Sequence, residues 1–299
     1  MAKNQNSSSN IIQVVGGIMI RDGKVLIAQR KEGQHLAGFW EFPGGKIEKG
    51  ESSEESLIRE FQEEFEVKIE VLRFFMENTH HYEQKSVSIS ALIIRYVSGD
   101  FQLHAHDELQ WIVPEELLHF KIAPADIPIA EKIISEFQPQ EFRATIDIIG
   151  VNPFVYLPDN ILSAIFFQAG RNKSPIPVTG KLNGQAYQQT LMKYQGEWRL
   201  YINTNMLSNS PKRIGEELSI SIEFDSSDRT IKAHPRLLQA LDENKDAKTK
   251  FDSLTPSLQK EIIRYIAHLK TEESVNRNVT KAIDFLLGKG RFIGRDGLE

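Results

Sequence analysis

The sequence predicts an α/β sandwich, or its α+β relative, over the first half of the chain, then a small β-barrel and a helical C-terminal segment. Three observations carry this reading. Residues 11–138 interleave β-rich runs with helical periodicity, residues 142–228 hold short β-rich runs separated by Gly, Asn and Pro, and residues 235–290 turn helical. The charge balance changes at the same place. Residues 1–140 contain 14 Lys+Arg against 22 Asp+Glu, whereas residues 141–299 contain 22 against 19.

The elements follow in order. Met1 to Asn10 is a polar run without the apolar stretch of a secretion signal, and it reads as a disordered leader. Ile11 to Ile20 and Lys24 to Gln29 are β-rich and joined by Arg21-Asp22-Gly23, a hairpin signal because Asp-Gly accepts the turn backbone. Glu51 to Phe65 reads as a helix: Ser52 and Glu55 have capping-box spacing, and Leu57, Phe61 and Phe65 recur on one face. Further strands are expected at Val67 to Phe75, Val87 to Tyr96 and Leu109 to Val113, with a helix starting near Pro128. Phe137 to Phe142 reads as a linker. Beyond it, strands are expected at Val178 to Leu182, Tyr187 to Tyr194, Glu197 to Ile202 and Leu218 to Phe224, and helices at Leu237 to Leu241, Ser257 to Leu269 and Val275 to Leu287.

Composition removes several function classes. The 299 residues include no cysteine, which excludes disulfides, thiolate-zinc sites and cysteine nucleophiles and leaves oxygen or histidine to hold any metal. No apolar stretch approaches the roughly 18 to 20 residues needed to cross a bilayer, so a cytoplasmic protein without membrane contact is expected. The acidic first half argues against binding polymeric nucleic acid and suits a site that gathers a divalent cation before accepting a phosphate. Protein partners are not indicated by any feature.

The specific chemistry lies between Phe42 and Val67. Pro43-Gly44-Gly45 predicts a tight turn whose backbone approaches a ligand closely, since glycine has no Cβ to block it. On the following helix Glu60, Glu63 and Glu64 stand at i, i+3, i+4 and share a face, where their repulsion calls for a cation. Hard oxygen ligands of this kind suit Mg²⁺, with Mn²⁺ as a substitute. Arg59 is placed to pair with Glu63 at i+4. His80-His81, His104 and His106 have no supporting motif and read as surface or strand histidines.

The spacing from Gly45 through Glu51 to Arg59-Glu60-Phe61-Gln62-Glu63-Glu64 resembles the Nudix box, with Glu66 where the box expects glycine. Gln29 to Gly50, QRKEGQHLAGFWEFPGGKIEKG, and Ala123-Pro124-Ala125-Asp126-Ile127-Pro128 look like the MutT branch of the Nudix hydrolases, so a Nudix sandwich is expected over residues 11–138. The resemblance implies catalytic roles for Arg59, Glu60, Glu63 and Glu64, with Gly44 and the three glutamates on the metal. It also implies substrate contacts at Arg30, Phe42, Gly45, Lys46 and Asp126. The branch often adds a late glutamate six residues before a tryptophan. Counting back from Trp111 reaches Ala105, so Asp107 or Glu108 is the candidate to replace it. The expected reaction is Mg²⁺-dependent cleavage of a nucleoside triphosphate to monophosphate and pyrophosphate, with 8-oxo-dGTP favoured. CTP or dCTP is the alternative, because Asp126 stands where MutT has asparagine and the CTP pyrophosphohydrolases have aspartate. Glu64, Glu63 and a later acid all remain candidates for the proton acceptor. A nucleotide-sensing or stress-protection interaction protein is the alternative of another class.

The second half resembles an uncharacterised β-barrel family through Gly180-Lys181-Leu182-Asn183-Gly184 and Gly196-Glu197-Trp198-Arg199-Leu200-Tyr201-Ile202-Asn203. Pro256-Ser257-Leu258 and Val279-Thr280-Lys281-Ala282 resemble helices of YdeI-like bacteriocin-protection proteins.

Overall fold

The computed structural model describes residues 11–83 and 85–296, so the expected leader at Met1 to Asn10 lies outside the described residues. The chain divides into two compact units, with the division between Ser226 and Ser227.

In the first unit, seven strands form one mixed sheet: β1 (Ile11–Arg21), β2 (Lys24–Arg30), β3 (Trp40–Glu41), β4 (Gly44–Lys46), β5 (Lys68–His81), β6 (Ser86–Ser98) and β7 (His106–Ile112). The main order is β3-β2-β1-β6-β5, with β4 paired to β1 and β7 to β2. Only β1 and β6 run parallel among these pairs, with Val15 opposite Ser90 and Ile18 opposite Ile93. The Asp22-Gly23 hairpin forms as expected, and both residues have positive φ.

Alternation along β1 sorts the core. Val15 and Met19 face one side, where they pack with Leu57, Phe61 and Phe65 of α1 (Ser53–Phe65). Ile18 and Ile20 face the other, with Ile129 and Ile133 of α2 (Ile127–Glu136). Side chains of period 2 on the strand thus meet period 3.6 on two helices, one per face. Glu66 ends α1 in the left-handed conformation at φ 58°, so the position where the Nudix box expects glycine keeps the tight turn with a non-glycine residue.

The second sheet of this unit is antiparallel, with strands β8 (Gln140–Thr145), β9 (Asp147–Ile149), β10 (Asn152–Tyr156), β11 (Ile176–Leu182), β12 (Gln185–Tyr194), β13 (Glu197–Tyr201) and β14 (Glu217–Phe224). Its order is β8-β14-β11-β12-β13-β10-β9, a half-barrel wrapped around α3 (Asp159–Ala169). Two features differ from the sequence reading. The Phe137–Phe142 stretch is not all linker, because Gln140 to Phe142 pair with β14 and alternate partly buried Phe142 with exposed neighbours. Helix α3 stands inside a stretch that contributed no expected element. Its run Ile161, Ile165, Phe166, Phe167 is so apolar that periodicity cannot separate helix from strand.

Helix α3 serves both cores. Ile161 and Ile165 fill the half-barrel, while Phe167 belongs to the core of the first sheet, stacked on Phe75 at 5.6 Å and edge-on to Phe137 at 5.7 Å. Gln168 donates to the carbonyls of Glu136 and Gln138 and accepts from the Phe224 amide at 2.8 Å. Gly170 caps the helix at φ 65°, and a Cβ there would sit 2.1 Å from the Ile20 carbonyl oxygen.

The second unit is helical: α4 (Pro235–Glu243), α5 (Lys245–Ser253), α6 (Pro256–Ala267) and α7 (Glu272–Leu286). Asn244, Thr255 and Thr271 cap α5, α6 and α7 by accepting backbone N–H bonds. Its own core gathers Leu237, Leu241, Ile262, Ile266, Val279 and Phe285. No helix of the described residues is long and apolar enough to cross a membrane.

Because Phe167 is buried against the first sheet, Phe167→Ala should cost about 3 kcal/mol of unfolding free energy in urea, while Tyr194→Ala on the exposed face should be nearly neutral. A Phe167→Ala protein within about 1 kcal/mol of wild type would show that α3 merely leans on that sheet.

Candidate active site

Helix α1 is aimed before it is functional. The Ser52 side chain accepts from the Glu55 amide at 3.2 Å and Glu55 answers to the Ser52 amide at 2.9 Å, the reciprocal cap its sequence announced. Arg59 then ties the helix to the turn before it. Its Nε and Nη2 hold both oxygens of Glu51 at 2.8 and 3.1 Å, Nη1 reaches Glu60 and Glu63 at 3.0 Å each, and Nη2 also donates to the Lys46 carbonyl. These bonds, with the Glu48 amide, hold the Glu51 carboxyl down at about 2. The same bonds to Glu51, with those to Glu60 and Glu63, raise Arg59 well above the usual arginine range.

The turn meets the helix through the absence of a side chain. Gly44 and Gly45 pair with Gly16 and Val15 of β1, and a Cβ on Gly45 would lie 2.2 Å from the Glu60 carboxylate. Here the sheet edge, the turn and one face of α1 enclose a cleft of about 530 Å³. Its lining includes Arg30, Phe42, Gly44, Gly45, Lys46, Glu60, Glu64 and Asp126 among the expected site residues.

The three helix glutamates do not point the same way. Glu60 and Glu64, one turn apart, face the cleft, whereas the Glu63 side chain is 60 % exposed and held by Arg59 outside it. Burial raises Glu60, with Arg59 opposing that rise. Burial pushes Glu64 up to about 7, and its Oε2 is buried without a hydrogen-bond partner.

Asp107 and Glu108 are not brought to the cleft. In the β2–β7 ladder Gln29 faces Glu108 and Arg30 faces His106, so the register shift leaves Asp107 as the extra residue of a bulge. Its Oδ2 accepts from the Glu32 amide, and Glu108 accepts from the Gln110 side chain. The bulge turns His106 inward instead. Its side chain is 2 % exposed, stacked on Phe65 at 5.0 Å, with Nε2 3.1 Å from Glu41 Oε1 and Nδ1 3.8 Å from Glu64 Oε2. Glu41 in turn accepts from Arg30 at 2.5 Å.

Glu41, His106 and Tyr82 are cleft residues the sequence reading missed. Glu41 had a signal, since it sits one residue before Phe42 in the quoted motif. His106 had none, because its placement depends on the bulge. The other histidines singled out lie elsewhere: His104 pairs with exposed Glu66, His80 packs edge-on to Tyr82, and His81 bonds Ser86.

At the far end of the cleft Asp126 is 5 % exposed and accepts from the Phe42 amide at 3.2 Å. Its loop is stitched to β3 by Trp40 to Lys121 and Ala123 to Trp40 backbone bonds, and to β5 by Asn78 donating to the Ala125 carbonyl. Burial raises the Asp126 carboxyl well above the usual range, and nearby Glu41 adds to the rise.

A sandwich with α1 and α2 on opposite faces of a mixed sheet, a glycine turn against a carboxylate helix and one arginine binding them define a hydrolase of the Nudix class. Comparison with known proteins agrees. Residues 14–132 match the NUDIX domain family, 142–222 match a domain of unknown function (DUF1905), and 230–287 match the family described as Bacteriocin-protection, YdeI or OmpD-Associated. The chain is 38 % identical over 125 residues to the CTP pyrophosphohydrolase of Escherichia coli K12, covering 42 % of this chain and 93 % of that one. It is 35 % identical over 79 residues to the 8-oxo-dGTP diphosphatase of Proteus vulgaris, covering 26 % and 70 %. A solution structure of MutT from methicillin-resistant Staphylococcus aureus is similar at 37 % identity and a TM-score of 0.38, over 43 % of this chain and 98 % of that one. The chain belongs to the Nudix family, and it is a Nudix hydrolase.

Two outcomes follow from this geometry. Gly45→Ala should fold normally, because the clashing atoms are the end of a flexible side chain, but it should displace the Glu60 carboxylate and cut turnover by about tenfold or more. Unchanged turnover would separate Glu60 from the chemistry. The second concerns pH. A folded-state carboxyl raised by burial stabilises the protein fully below its unfolded value, and that stability is lost as pH rises through the folded value of about 7. In protein stripped of metal by EDTA, the Tm of wild type should therefore fall relative to Glu64→Gln as pH rises from about 5 to about 8. Parallel Tm curves would show that burying this carboxylate carries no cost.

Proposed function

We propose that residues 11–138 form a metal-dependent nucleoside triphosphate pyrophosphohydrolase that releases a nucleoside monophosphate and pyrophosphate. The observation that carries this is Glu64 Oε2, a buried carboxylate oxygen without a partner in a cleft that also holds Glu60 and the glycine turn. An orphaned buried oxygen beside a second carboxylate fits a divalent cation. Mg²⁺ is commonly bound through one or two carboxylates together with substrate phosphates and water.

Glu60, Glu64 and the Gly44 carbonyl would hold Mg²⁺ or Mn²⁺, which when bound neutralises developing charge on the phosphoryl oxygens and acidifies water. Arg59 fixes the Glu60 carboxylate, and Lys46 with the Gly45 backbone faces the phosphates. Of the candidate proton acceptors Glu64 fits best, because Glu63 is turned out and Asp107 and Glu108 lie off the cleft.

The base lies between Phe42, Arg30 and Asp126. Were Asp126 protonated it would offer a donor beside its acceptor, and Glu41, also lining the cleft, supplies a further acceptor. Oxidation at C8 turns guanine N7 into an N–H donor, so an acceptor there favours 8-oxo-dGTP over dGTP by leaving no buried group unpaired. This supports a role in cleansing the nucleotide pool. The second reading, CTP or dCTP, is favoured by Asp126 itself and by the similarity to the E. coli CTP pyrophosphohydrolase.

Pyrophosphate release with Mg²⁺ over 8-oxo-dGTP, dGTP, CTP and dCTP tests both. We expect 8-oxo-dGTP to give the highest kcat/KM, Glu64→Gln to lower kcat by about 10²-fold or more, and Asp126→Ala to flatten the ratios between bases. Preference for CTP would reverse the ordering, and full turnover by Glu64→Gln would remove the carboxylate helix from the chemistry.

A further inference from the structure

The position where a late acid was expected holds Ala105, and the bulge beside it delivers a buried imidazole into the cleft. Glu64 Oε2 and His106 Nδ1 are both among the few buried side-chain polar atoms of the described residues without a hydrogen-bond partner, and they face each other at 3.8 Å. The other ring nitrogen is anchored, since Nε2 donates to Glu41, which Arg30 grips from the base end of the cleft. The ring is buried and stacked at 17° on Phe65, the residue next to Glu64 on the same helix. A displacement of Glu41 would carry the bonded Nε2 with it and so change the setting of Nδ1 against Glu64.

We infer that His106 is a positioning residue that couples occupancy of the base end of the cleft, through Arg30 and Glu41, to the setting of the Glu64 carboxylate. A nucleotide whose base seats against Arg30 and Glu41 brings Glu64 into its working position, and one that seats poorly leaves it misplaced. Selectivity between bases then appears in kcat as well as in KM. The inference rests on the triphosphate-hydrolase reading proposed above.

The test replaces the ring without emptying the site. His106→Phe keeps the stack on Phe65 and removes both nitrogens, and His106→Asn keeps a polar group near the Nδ1 position while losing the reach to Glu41. Folding is checked by circular dichroism, and Asn stands in should the Phe variant not fold. For His106→Phe we expect Mn²⁺ binding to nucleotide-free protein, read by electron paramagnetic resonance, to weaken about tenfold or more, and kcat to fall by about 10- to 100-fold on the best substrate. The kcat ratio between the best and the poorest nucleotide should approach one in both variants while the KM ratio is retained. Unchanged kcat, or an equal loss on every nucleotide, overturns the coupling. Absence of hydrolysis by the wild type would instead defeat the substrate reading, and the Mn²⁺ affinities would still decide whether His106 sets Glu64: equal affinities in wild type and His106→Phe refute it.

Discussion

One guanidinium organises the active half of this molecule. Arg59 stands on α1 among Glu51, Glu60 and Glu63 and also donates to the Lys46 carbonyl. Without it the acidic side of the helix would repel itself and the approach from the glycine turn would have no fixed register. With it, the loop from Lys46 to Glu51 is fastened to the helix at two points, and the Gly45 backbone is brought where only a residue lacking Cβ fits against Glu60. The cost falls on the glutamates the arginine does not reach. Glu64 is left buried with an oxygen unpaired, the property that suits the metal-binding role proposed for it.

Much of this was legible in the chain. The capping box at Ser52 and Glu55, the apolar stripe of Leu57, Phe61 and Phe65 and the Asp22-Gly23 hairpin are local, and local chemistry decides them. Glu60 and Glu64 were equally legible, because i, i+4 spacing puts two residues over one another wherever the helix lies. Glu63 was harder. Helical spacing places it near both, but whether it turns inward is settled by Arg59, which draws it toward solvent.

The rest depended on distances no sequence window spans. His106 meets Glu41 across 65 residues and reaches the cleft only because the β2–β7 register slips by one, which sends Asp107 outward. A single inserted residue exchanges the faces of a strand, and nothing in His-Ala-His-Asp-Glu announces where the slip falls. Helix α3 escaped for a different reason. It gives side chains to two cores, Ile165 to one and Phe167 to the other, so it is apolar on more than one side and lacks the single stripe by which a helix is recognised.

The two ends of the cleft use burial in opposite ways. At one end Asp126 is raised by burial and by Glu41, yet one of its oxygens accepts the Phe42 amide, so it is held in place with hydrogen-bonding capacity to spare. A group so fixed suits recognition, where geometry must exist before the ligand arrives. At the other end Glu64 is raised by burial with no compensating bond at Oε2. Such a carboxylate is a liability to the folded state and gains most from an incoming positive charge or a proton. Between the two ends Arg30, Glu41 and His106 form a run of polar contacts that ends 3.8 Å from Glu64, the path along which the coupling inferred above would pass.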